Sequence, residues 1–181
     1  MGGEFEDEYS ATIDDEPRKT DDLRETSGAL LNDTIGVLSP AEPLCLFETA
    51  TVHEAVRTML AHRQAGVLIT DGGGRLAGIF TERDVLTRVV GRDLDARRTP
   101  LGEVMTRNPE ALTASDRVAY AIHCMSVSGF RTIPLVDAER RPIGVITVSD
   151  VVRWLANLFP EAVLNLRPGD ALKHPLEVDA G

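Results

Sequence analysis

Gly144-Val145-Ile146-Thr147-Val148-Ser149-Asp150 is the stretch on which the fold turns, because Gly78-Ile79-Phe80-Thr81-Glu82-Arg83-Asp84 carries the same pattern 66 positions earlier. In each copy a glycine opens a short apolar strand and a threonine ends it. An aspartate three residues later falls in the first turn of an amphipathic helix, expected over Asp84 to Val90 or Asp150 to Leu158. Such a strand-to-helix corner points a hydroxyl and a carboxylate outward, beside free backbone N–H groups and the positive end of the helix dipole. A hydroxylated, anionic ligand suits that environment. Taken singly, threonine followed three residues on by an acid is equally the signature of a helix-capping box. Repetition in register is what favours a site.

The offset of 66 holds without a gap from Gly36 and Gly102 onward, through Pro43 with Pro109, Leu46 with Leu112, Val52 with Val118, Met59 with Met125, Asp71 with Asp137, and Val85 with Val151. Within each copy the periodicity changes in the same order. Leu44 to Phe47, or Ala111 to Thr113, reads as a short strand. Thr51 and Glu54 then form a capping box before Val52, Ala55, Val56, Met59 and Leu60, which share one helix face. Val67 to Thr70 and Ile133 to Val136 are compact apolar runs, closed by turns at Asp71-Gly72-Gly73-Gly74 and Ala138-Glu139-Arg140. Leu76 to Phe80 and Ile143 to Ile146 return. The unit is strand, helix, strand, strand, helix, an α/β (α+β) arrangement. One unit leaves a sheet face uncovered, so two should pair within the chain.

Of the 181 residues 43% are hydrophobic, enough for one substantial core or two small ones. The net charge of −10 argues against nucleic acid as a partner. Most of it lies between Met1 and Asp33, where eleven acids face only Arg18, Lys19 and Arg24. That segment, 1–33, reads as an acidic mobile tail. Residues 34–94 and 95–158 are the two repeats, linked by a surface crossover around Gly91 to Gly102, and 159–181 is an extension broken by Pro160, Pro168 and Pro175. Cys45 and Cys124 form no close pair and are expected to be buried, and no apolar run approaches a membrane span. A cytoplasmic protein with no membrane contact follows as the expectation. The four histidines lack metal-ligand spacing, and no nucleophile or phosphate loop stands in a recognisable setting, so no enzyme is expected. Trp154 is expected at an interface.

The order of elements, the paired Gly-x-x-Thr-x-x-Asp corners, Met105-Thr106 followed by Asn108-Pro109, and Arg131-Thr132-Ile133-Pro134-Leu135-Val136 resemble the CBS domain, named after cystathionine β-synthase. Two in tandem resemble a Bateman module. The resemblance covers about Thr34 to Asn157. It implies a regulatory module that binds an adenosine-containing ligand (AMP, ADP, ATP or S-adenosylmethionine) in clefts between the repeats and signals to a regulated partner protein. On that basis Asp84 and Asp150 would accept the ribose hydroxyls, and Thr81 and Thr147 would reach the ribose or first phosphate. The surroundings of Val67, Ile133 and Pro134 would hold adenine, Thr106 would line the second-copy pocket, and Arg131 would meet a phosphate. Pro40 stands where the second copy has Thr106, and Ala65-Gly66-Val67-Leu68 replaces Arg131-Thr132-Ile133-Pro134, so the Asp150 pocket fits the pattern better. The family's last helices imply a disc-like homodimer. The rival reading is a ligand-independent dimerisation module whose corners are only caps.

Overall fold

The computed structural model describes residues 32–158, together with Gly28. The expectations for the acidic tail and for 159–181 therefore fall outside the described residues, except that Asn32 and Asp33 are anchored to the second repeat. The Arg117 Nη1 donates to the Asn32 carbonyl at 2.8 Å and the Val118 N–H to the Asp33 carbonyl at 3.0 Å.

A 3-10 turn, Ile35–Leu38, precedes the first repeat. That repeat runs β1 (Cys45–Phe47), α1 (Val52–His62), β2 (Gly66–Thr70), β3 (Leu76–Thr81) and α2. The last of these is α-helical over Glu82–Asp84, π-helical over Val85–Val89 and 3-10 over Val90–Arg92. The second repeat runs α3 (Leu101–Val104), β4 (Thr106–Arg107), α4 (Val118–Ser128), β5 (Thr132–Val136), β6 (Pro142–Thr147) and α5 (Val148–Leu158). The expected strand at Ala111–Thr113 shrinks to one parallel bridge, Leu112 with Leu135. Thr51 closes the capping box that its spacing predicted: its N–H reaches Glu54 Oε2 at 2.7 Å, and its Oγ1 accepts the Glu54 N–H at 3.2 Å.

Strand register repeats as faithfully as sequence. Gly66 pairs with Thr81 and Leu68 with Ile79 in the first copy; Thr132 pairs with Thr147 and Pro134 with Val145 in the second, and both copies shift register at the same place. β1 lies parallel to β2, and β4 antiparallel to β3. β2 is buried along its whole length because both faces are covered, which is why it reads as an unbroken apolar run. One face packs on the helices: Val67, Ile69 and Phe80 meet Val52, Ala55 and Met59. The other packs on the second repeat, where Leu68, Leu76 and Ile79 join Val136 and Val145 in a small seam cluster.

The segments leading into the repeats cross over. Leu101, Val104 and Met105, which precede the second repeat, complete the helix-side core of the first; Ile35 and Leu38, which precede the first, complete that of the second. The hydrogen bonds keep the offset of 66. The Leu101 N–H donates to the Ala50 carbonyl at 2.8 Å as the Ile35 N–H does to Asp116, and Gly102 bonds Glu48 as Gly36 bonds Ala114. Residues 91–102 are thus no simple surface crossover, since Thr99 and Leu101 are buried. Trp154 also departs from expectation. It lies inside the second core with its Nε1–H on Asp33 Oδ2 at 3.1 Å. Cys45 is exposed on the outer strand β1, while Cys124 is buried as expected.

Candidate functional site: two equivalent strand-to-helix corners

Each corner is built by three local rules. The strand before it alternates between helix side and seam, so Thr81 and Thr147 fall on the seam face with Ile79 and Val145. The helix that follows begins at once, leaving its first N–H groups to be satisfied. The first of these is taken by the neighbouring strand's lead-in: Glu82 N–H donates to the Ala65 carbonyl at 3.0 Å and Val148 N–H to the Arg131 carbonyl at 3.2 Å. The aspartate then folds back on the threonine. Asp84 Oδ2 accepts the Thr81 N–H at 2.9 Å and its Oγ1–H at 2.8 Å; Asp150 Oδ2 accepts the same pair from Thr147 at 2.8 and 2.7 Å.

The second carboxylate oxygens are occupied as well. Arg88 Nε lies 3.2 Å from Asp84 Oδ1, and Arg153 Nη1 lies 3.1 Å from Asp150 Oδ1. Neither carboxylate points freely outward, as the sequence suggested. Their side chains are 11% and 13% exposed, and each holds an arginine that a ribose diol would have to share or displace. A carboxylate offers about four lone-pair positions, so sharing is chemically open.

The crossed lead-in segments decide what else faces each corner. Thr106 pairs with Ile79 on β3, so it belongs to the Thr81–Asp84 corner and not to the second-copy pocket. Its counterpart at the Thr147–Asp150 corner is the Pro40–Ala41 stretch. Ala41 exchanges both backbone hydrogen bonds with Val145, at 3.0 Å each, and Pro40 lies against Gly144. Val67 and Ile133 turn their side chains into the helix-side cores, at 0% and 1% exposure, so only their backbone is available to a ligand. Pro134, in register with Val145, sits on the seam face and is buried. Arg131 is exposed and forms no ion pair among the described residues. Thr132, opposite Thr147, adds a seam-face residue that the first corner lacks, because Gly66 stands there.

An apolar groove lined by Val56, Met59, Leu60, Val85 and Leu86 opens elsewhere, between α1 and α2 on the helix side. It holds none of the corner threonines or aspartates. Among the described residues no cluster of metal-ligating side chains occurs, and no helix is long and apolar enough to cross a membrane.

Comparison with known proteins agrees with this fold. The chain matches the CBS domain over residues 35–91 and again over 101–157. It is 32% identical over 144 residues to the CBS domain-containing protein CBSCBSPB2 of Arabidopsis thaliana, covering 80% of this chain but 26% of that protein. The chain therefore spans about a quarter of the plant relatives' length. Among solved structures, the CBS domain pair of protein MJ0100, in complex with methylthioadenosine and S-adenosyl-L-methionine, superposes with a TM-score of 0.63 at 23% identity, covering 69% of this chain and 97% of that one. The CBS-domain protein ATU1752 of Agrobacterium tumefaciens gives 0.62 at 25% identity, over 68% and 99%. Two matched segments, one register and reciprocal lead-ins leave a single assignment: the chain belongs to the CBS domain family, as a tandem pair.

Proposed function

We propose that the chain is a regulatory sensor, without catalysis of its own, that binds an adenosine-containing ligand such as AMP, ADP, ATP or S-adenosylmethionine at its two corners and passes occupancy to a partner protein. The observation that carries this reading is the twice-built constellation of a threonine and a mostly buried aspartate at the end of a seam strand. The adenosyl ligands named for the related pair support it. Asp84 and Asp150 would take the ribose hydroxyls, Thr81 and Thr147 the ribose or first phosphate, Pro134 and the backbone at Val67 and Ile133 the adenine, and Arg131 a phosphate. Thr106 would serve the first corner. Ligand shifts the repeats only by binding one arrangement better than another.

The completed caps favour a second reading, a ligand-independent dimerisation module. Thermal melting separates the two, since ligand at about 100 times its dissociation constant adds roughly 2.7 kcal/mol. A rise in midpoint with at least one of the four compounds, reduced by Asp150→Ala, is expected. Unmoved midpoints with all four would leave the module reading in possession.

Self-association would use the helix side. Leu60 on α1 and Leu86 on α2 are 73% and 66% exposed, and Val127 on α4 and Val152 on α5 are exposed too. A homodimer closing over these faces predicts that Leu86→Glu halves the mass measured by light scattering. A wild-type monomer would refute it.

A further inference from the structure

The two corners share their threonine–aspartate core but differ in what their arginines do next. Arg153 is three residues beyond Asp150, its side chain is 67% exposed, and among the described residues it bonds Asp150 alone. Arg88 is four residues beyond Asp84, in the π-helical part of α2, and its side chain is about half as exposed, at 34%. Its Nη1 donates to the Val104 carbonyl at 2.9 Å. Val104 ends α3, two residues before Thr106 crosses onto β3. The second repeat puts Trp154 at the position equivalent to Arg88, and that indole turns to Asp33 instead of a corner carboxylate.

Resting on the adenosyl reading above, we infer that Arg88 is a positioning residue that holds the first corner shut and makes the two corners unequal. While Arg88 spans Asp84 and Val104, the carboxylate's outer oxygen is committed and the crossed lead-in segment is tied to it. A ribose that takes the outer oxygen of Asp84 in place of the guanidinium breaks the Val104 contact with it. Binding at the first corner is therefore weakened by the cost of breaking the bridge, and it unties the end of α3 at Val104 from α2. Among the described residues the second corner carries no such tie, and Arg131, with no ion pair there, stands beside it. It fills first. Occupancy of the first corner is the event that the lead-in segment registers.

The test uses the full chain with Asp150→Ala to silence the second corner, titrated with AMP in a calorimeter. Adding Arg88→Met, which keeps the apolar stem, should tighten binding about tenfold. Arg88→Lys, whose single ammonium cannot span both partners, should fall between. Melting curves check that each variant folds. Hydrogen exchange gives a second readout: AMP should speed amide exchange in residues 101–107 when Arg88 is present and leave it unchanged, already fast, in Arg88→Met. Binding that weakens or stays level in Arg88→Met, or exchange in 101–107 that ignores AMP, overturns the latch and leaves the adenosyl reading standing. No heat from AMP, ADP, ATP or S-adenosylmethionine, with wild type or with Arg88→Met, removes the adenosyl reading and the latch with it.

Discussion

Asp84 and Asp150 each serve the fold before they serve any ligand, because a carboxylate that accepts a backbone N–H and a hydroxyl at a helix start is a cap. The glycines six residues before them have an equally local purpose. A Cβ on Gly78 would collide with Met105 Sδ and come within 3.0 Å of the Thr106 carbonyl oxygen; on Gly144 it would meet Pro40 Cβ at 3.2 Å and the Ala41 carbonyl oxygen at 3.4 Å. They are glycine because the crossed segment passes directly over them. Gly78→Ala should therefore cost about 1–3 kcal/mol, the range for overpacking a filled interior. Gly144→Ala, with looser contacts, should cost less. Urea denaturation of both decides the matter, and a larger loss at Gly144 would contradict the contact account. The corners themselves were legible in sequence, since a hydroxyl and an acid at fixed spacing betray a helix start. The sides of Val67 and Ile133 were not. In a strand with both faces buried, alternation carries no contrast between them.

At the scale of the element, α1 shows how a single pair of side chains sets where a helix starts. Hydrogen bonds from the Thr51 backbone and side chain hold the Glu54 carboxyl below its ordinary range. A carboxyl that is more acidic when folded contributes stability above its unfolded value, about 4.3, and loses it as the pH falls through the folded value. The wild type should thus melt above Glu54→Gln at pH 6, and the gap should close as the pH drops below about 4. A gap that widens toward acid would reverse the sign and dismiss the cap as its cause. α2 was the element least visible beforehand. Its sequence continues the apolar pattern of a regular helix, yet the structure takes a π segment at Val85–Val89, whereas α5 runs regularly from Val148 to Leu158. Hydrophobic spacing reports which face is covered and is nearly blind to a local change of hydrogen-bond step.

The whole molecule is held together by exchange, and this too was hidden for a physical reason. Both lead-in segments carry the same pattern, so the sequence is indifferent to which sheet each one joins; only the tertiary packing sends Thr106 to the first corner and Pro40 to the second. The consequence concerns cooperativity. Each helix-side core contains buried residues from a segment that precedes the other repeat, so neither half owns a complete core. Leu101→Ala and Ile35→Ala, each emptying a fully buried position, should cost about 2–5 kcal/mol. The damage should appear across the seam from where sequence order would put it. Leu101→Ala should speed hydrogen exchange chiefly in β2 and β3, and Ile35→Ala chiefly in β5 and β6, because local opening follows the contacts that are lost. Both variants should still unfold in one transition, since a half that opens takes with it a segment that the other half needs. Two separate transitions, or loosening confined to the repeat that each residue leads into, would mean that the segments return to their own sheets in solution. The first corner would then lose Thr106 and the tie through Arg88 together.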